Sequence, residues 1–181
     1  MNTANKLTML RVVMIPLFLV LLYWQFPFHQ PLALAVFILA SITDFVDGYV
    51  ARHYNQITDF GKFMDPLADK VLVMAAMVWF VEVGQMPAWA LLIVIVREFA
   101  VTALRLVAVD GGKVIAAGKS GKVKTASTMV CICIMLIPAA AALWVGPLSL
   151  NQLCVAVIVV TTVYSGAEYF LQNKGLLDWT K

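Results

Sequence analysis

Between residues 44 and 69 an otherwise apolar chain carries the strings "DFVDGYVAR" and "GKFMDPLAD", which bring in Asp44, Asp47, Asp65 and Asp69. Asp44, Asp47, Gly48, Ala51 and Arg52 are related by offsets of three, four, seven and eight, which on an α-helix turns them to one face. Gly61, Asp65 and Asp69 repeat the pattern at offsets of four. Gly48, Ala51 and Gly61 remove side-chain bulk where two such helices approach, so the acids are expected to converge in one cleft. Repulsion and desolvation forbid a bare cluster of that kind. Divalent cations are the natural remedy. Carboxylates without a paired His or Cys favour Mg2+ or Mn2+ over Zn2+. Four carboxylates sharing ligands suit two such ions, and a pair of hard metals suits phosphoryl transfer. The plainer alternative is a structural ion network with Arg52, Lys62 and Lys70. Two facing acidic stripes with small residues between them favour the metal reading.

The elements that position these acids read as membrane helices. Of the 181 residues, 62% are hydrophobic and only 13% charged, and the mean hydropathy is +0.91. A soluble domain has about a quarter of its residues charged. Six segments match the roughly twenty apolar residues a crossing needs: 7–24, 31–54, 65–83, 87–109, 121–143 and 150–171. The connections hold Pro, Gly and Asn, as breaks do. No soluble domain, repeat or cleavable signal peptide stands out, so residues 1–181 are read as a single all-α, polytopic unit. The Lys and Arg residues gather at the termini and around the second and fourth connections, whereas the first, third and fifth connections hold none. That asymmetry places both termini and the basic loops in the cytoplasm. It reads the net charge of +3 as topology and lipid contact rather than nucleic-acid binding. Cys131, Cys133 and Cys154 lie in apolar runs and are expected to be small buried hydrophobes, not disulfides. The five tryptophans fall near segment ends, as interfacial anchors do.

The string Asp44-x-x-Asp47-Gly48-x-x-Ala51-Arg52, then eight residues, then Gly61-x-x-x-Asp65-x-x-x-Asp69, resembles the complete signature of the CDP-alcohol phosphotransferases. The six-helix layout agrees with that family over most of the chain. The resemblance implies that a CDP-linked lipid binds by its diphosphate to two metals, a second substrate's hydroxyl attacks the β-phosphorus, and CMP leaves. It implies metal ligation by Asp44, Asp47, Asp65 and Asp69, with Asp69 also the general base. Gly48 would let the nucleotide approach the backbone, Arg52 would donate to phosphate, and Thr58 would bond cytidine or phosphate. A homodimer in the inner membrane, with its active site facing the cytoplasm, is implied as well.

Two further patterns bear on the acceptor. Asn5, Thr8 and Arg11 recur every three residues, either as an ordinary helix start with Arg11 snorkelling or as nucleotide contacts. The N-x-x-T-x-x-R pattern resembles the phosphatidylglycerophosphate synthase branch, where it lines the nucleotide pocket. In the fourth segment Arg97 and Glu98 fall near the midplane and Arg105 lies eight residues on, so these charges must face the bundle interior. Neighbours on a helix diverge, so an Arg97–Glu98 pair is expected to be poor and an interhelical pair is the alternative. Lys119, Ser120 and Lys122 open the fifth helix, whose N-terminus favours an anion. Arg97, Arg105, Lys119 and Lys122 would form a cationic pocket that a phosphorylated acceptor needs and a neutral alcohol does not. Transfer from CDP-diacylglycerol to glycerol 3-phosphate is therefore the expected reaction. Cardiolipin, phosphatidylserine or inositol-phosphate lipid synthesis is the nearest alternative. Cation transport is a remote one, since no acidic cluster on the outer side completes a path. Pro66 leaves two possibilities for the third helix, a start near Met64 or a kink.

Overall fold

The computed structural model describes residues 3–24, 26–53, 59–110 and 118–174. Side chains are described throughout these spans except at 3–7, 44–45, 47–53, 59–63, 65–66, 110 and 141–142. The architecture is all-α. Helices α1 (Thr3–Tyr23), α2 (His29–His53), α3 (Asp59–Glu82), α4 (Ala88–Asp110), α5 (Lys119–Met135) and α6 (Leu150–Asn173) follow in chain order. A 3-10 turn (Pro138–Ala142) and a two-stranded hairpin separate the last two helices.

Helix α1 packs on α2 and α3, α6 packs on α5 and α4, and α3 joins the halves by touching α4 and α5. The core follows the three- and four-residue spacing of helix faces. Phe18 and Leu22 of α1, Ala33, Phe37 and Ala40 of α2, and Leu72, Ala76 and Phe80 of α3 are all buried. The Phe18 and Phe37 rings meet at 5.7 Å, tilted by 46°. At the far end of α1 and α3, the Tyr23 hydroxyl donates to Glu82 Oε2 at 2.6 Å. Outward faces are apolar too: Leu92, Val96 and Phe99, at helical spacing on α4, are 58–66% exposed. Apolar surface both inside and outside a helix is what a lipid-facing bundle needs. Among the described residues, α6 is the helix long and continuously apolar enough to cross a membrane by length and composition alone. Helix α4 is interrupted by Arg97, Glu98 and Arg105.

Three local expectations change. Helix α3 starts at Asp59, not near Met64, so Pro66 lies beyond the first turn and the helix runs through it. Helix α5 ends at Met135 rather than reaching residue 143. Pro138 has no N–H to continue the ladder and drives Ile137 to φ −78°, ψ 119°. Trp79 is not an interfacial anchor: it is buried against Phe80, with the ring centroids 5.6 Å apart. Trp24, Trp89 and Trp144 are exposed as expected, and Trp179 lies outside the described residues. All three cysteines are free, Cys131 and Cys154 being buried.

The hairpin pairs Trp144 with Ser149 and Val145 with Leu148, and Gly146 turns it at φ 66°. Ser149 then caps α6. Its Oγ accepts from Gln152 N at 3.2 Å, and Gln152 Oε1 accepts from Ser149 N at 3.0 Å. This reciprocal pair satisfies two backbone donors at the helix start. Ser149→Ala is expected to cost about 1 kcal/mol, read as a melting temperature roughly 2–4 °C lower in detergent.

Candidate active site

The backbone carries Asp44 and Asp47 near the end of α2, and Asp65 and Asp69 in the first half of α3. The two helices are consecutive and in contact. The side chains of Asp44, Asp47, Asp65, Gly48, Arg52 and Asn5 lie outside the described residues, as does Thr58 entirely. Asp69 is described. It is half-buried and lines two cavities that also share Lys70, Glu98 and Thr125. Among the described residues no group of three or more His, Cys, Asp or Glu side chains gathers to bind a metal.

The larger cavity, about 690 Å³, lies between α3, α4 and α5. Its described walls carry Lys70, Arg97, Arg105 and Lys122 against the carboxylates of Asp69 and Glu98. The positive excess favours an anion. Two of the expected cations are held from several sides. Arg105 Nε donates to the Tyr169 hydroxyl at 3.0 Å, with the guanidinium carbon 5.5 Å from the ring centroid. Arg97 is only 12% exposed as a side chain and threads between two glycines of other helices. A Cβ at Gly121 would stand 3.6 Å from its Nη2, and one at Gly166 would press on its Cγ at 3.2 Å. Those small residues leave the channel that Arg97 occupies. Lys122 is exposed and lines the cavity, whereas Lys119 is exposed and lines neither cavity. At the first residue of α5, Lys119 falls short of the face formed by Gly121, Thr125 and Lys122.

Glu98 is the organising anion. Its Oε1 accepts from Arg97 Nη1 at 2.8 Å and from Lys124 Nζ at 2.7 Å, and Lys70 Nζ stands 3.9 Å from Oε2. The Arg97–Glu98 pair therefore forms, contrary to the expectation from helix angles. The flexible arginine side chain curls back to its neighbour. The expected interhelical partner is also present, and it is a lysine, Lys124 on α5. Lys70 additionally donates to Thr102 Oγ1, which itself donates to Glu98 O at 2.8 Å. Lys124 reads in the sequence as one more lysine of a basic loop, yet it is 4% exposed. The signal for it was the helical spacing Gly121, Lys124, Thr128, which sets those residues on the face toward α3 and α4.

Thr8 and Arg11 are buried on one face of α1, so Arg11 does not snorkel. Among the described residues both cavities are walled by α3, α4 and α5, so Thr8 belongs to neither.

The CDP-alcohol phosphatidyltransferase profile matches residues 1–167. The chain belongs to that family. A relative in Bacillus subtilis (strain 168), named CDP-diacylglycerol–glycerol-3-phosphate 3-phosphatidyltransferase, is 41% identical over 95% of each chain. Proteins of the same name in Salmonella typhimurium and Rickettsia typhi are 37% identical over 98% of each chain and 32% identical over 93% of this chain and 95% of theirs.

Proposed function

We propose that this family member is a membrane-embedded enzyme that transfers the phosphatidyl group of CDP-diacylglycerol to glycerol 3-phosphate, giving phosphatidylglycerophosphate and CMP. The observation that carries the reading is a single cavity in which Asp69 shares walls with Arg97, Arg105 and Lys122. A carboxylate beside a cationic pocket is the pairing that an acceptor with a hydroxyl at one end and a phosphate at the other requires. The names of full-length relatives point the same way.

In this reading Arg97, Arg105 and Lys122 hold the acceptor phosphate by charge-assisted hydrogen bonds. The carboxylate of Asp69 takes the proton of the acceptor hydroxyl. The deprotonated acceptor oxygen then bonds to the β-phosphorus of the CDP-lipid, the bond from that phosphorus to the bridging oxygen breaks, and CMP departs with the electron pair. Two divalent cations, Mg2+ or Mn2+, held by Asp44, Asp47, Asp65 and Asp69, would supply charge neutralisation on the diphosphate. Asn5, Thr8, Gly48, Arg52 and Thr58 form the nucleotide side of the site. The exposed apolar faces support six crossings of the inner membrane, and the charge asymmetry supports cytoplasmic termini and a cytoplasmic site. The assembly proposed is a homodimer.

The test is lipid product analysis. Purified chain in detergent micelles, given CDP-diacylglycerol and Mg2+, is expected to make phosphatidylglycerophosphate from glycerol 3-phosphate. No product is expected from serine, inositol phosphate or phosphatidylglycerol. Product from one of those and none from glycerol 3-phosphate overturns the acceptor assignment. Arg105→Ala is expected to raise the KM for glycerol 3-phosphate about ten- to a hundredfold, the value of one charge-assisted contact. The KM for CDP-diacylglycerol should stay unchanged in the same initial-rate assay.

A further inference from the structure

The smaller cavity beside Asp69 has a volume of about 40 Å³, above the roughly 10–15 Å³ that one water needs. It opens off the phosphate cavity, with which it shares Asp69, Lys70, Glu98 and Thr125, and it continues to the level of Val94 and Thr128. Most of its polar atoms are already engaged. Lys124 Nζ and Glu98 Oε1 bond each other, Lys70 Nζ bonds Thr102, and Thr125 Oγ1 donates to Gly121 O at 3.0 Å. Thr128 is different. It is 2% exposed, and its Oγ1 has no hydrogen-bond partner among the described residues. A buried hydroxyl in that state is uncommon and leaves one donor and acceptor open to a further partner. The usual recourse of a helical threonine, the carbonyl one turn back, is not taken here.

The acceptor proposed above carries such a partner. Glycerol 3-phosphate bears a secondary hydroxyl on the carbon next to the one whose hydroxyl attacks. With the attacking hydroxyl at Asp69, the secondary hydroxyl is borne one carbon away, and Asp69 and Thr128 line the same small space. We infer that Thr128 is a specificity-determining residue that hydrogen-bonds the secondary hydroxyl of the acceptor, so that a phosphorylated vicinal diol is preferred over a simple hydroxyalkyl phosphate. The inference rests on the proposed acceptor and adds to the pocket a selectivity that phosphate contacts cannot supply. A site that meets a substrate hydroxyl with a buried polar group discriminates against the analogue lacking it.

The test compares glycerol 3-phosphate with 3-hydroxypropyl phosphate, which lacks only the secondary hydroxyl, in wild type, Thr128→Val and Thr128→Ser. Wild type is expected to favour glycerol 3-phosphate. Thr128→Val should lose about ten-fold in kcat/KM with glycerol 3-phosphate, the value of one neutral hydrogen bond left unmade. It should change little with the deoxy analogue. Thr128→Ser should restore the preference. Thr128→Val should also melt no lower than wild type in detergent, because the hydroxyl it removes bonds nothing in the unliganded protein. Equal losses with both acceptors, no loss with either, or a lower melting temperature overturns the inference and leaves the acceptor assignment standing. Absence of wild-type CMP release from glycerol 3-phosphate overturns both.

Discussion

Asp69→Asn is expected to lower kcat for CMP release by about 10²–10⁴, the usual contribution of a positioned general base. The substitution keeps the size of the side chain and removes its ability to accept the acceptor's proton. Asp69 is half-buried at the junction of the two cavities, where an acceptor hydroxyl and a diphosphate would meet. Because the change is isosteric, the variant should elute as wild type does in size-exclusion chromatography and keep its helical circular dichroism. Initial rates at saturating CDP-diacylglycerol and glycerol 3-phosphate are the measurement. Activity within three-fold of wild type, in a folded variant, would remove Asp69 from the chemistry.

Glu98→Gln carries the largest expected effect on stability. Arg97, Lys124 and Lys70 converge on this one carboxylate, whose side chain is 16% exposed. Loss of the charge leaves cations crowded in a low-dielectric interior, and breaking a buried pair costs about 3–5 kcal/mol. For a chain of this size that corresponds to a melting temperature roughly 6–20 °C lower, read by thermal unfolding in detergent. Combining Glu98→Gln with Lys124→Met should recover part of the loss, because the two residues act on one contact. A double variant whose loss equals the sum of the single losses would show that the Lys124–Glu98 contact at 2.7 Å contributes no coupling.

How much of this was legible depends on whether a residue's neighbours are near in sequence. The acidic stripes could be read directly, because offsets of three and four on one helix follow from 3.6 residues per turn. Arg97 was likewise placed in the interior, and its side chain is 12% exposed; Arg105, expected there too, is exposed although it lines the larger cavity. The Arg97–Glu98 pair was misjudged because backbone angles describe where side chains leave the helix, not where a long flexible one ends. Lys124 lies among the basic residues around the fourth connection, and its helical spacing with Gly121 and Thr128 is the one local feature that sets it apart from surface lysines. Lys119, at the first residue of α5, is exposed and lines neither cavity.

By itself the amino-acid sequence determined the all-α class, the helix that carries each motif acid, and the family, because periodicity and motif spacing are properties of a single segment. Only the tertiary structure decided which cations stand beside Asp69. It also decided that Glu98 binds them together and that Thr128 is buried with an unmet hydroxyl. Those facts depend on how α3, α4 and α5 are rotated and docked against one another. That docking is set by the summed packing of many weak contacts rather than by any pattern along one helix.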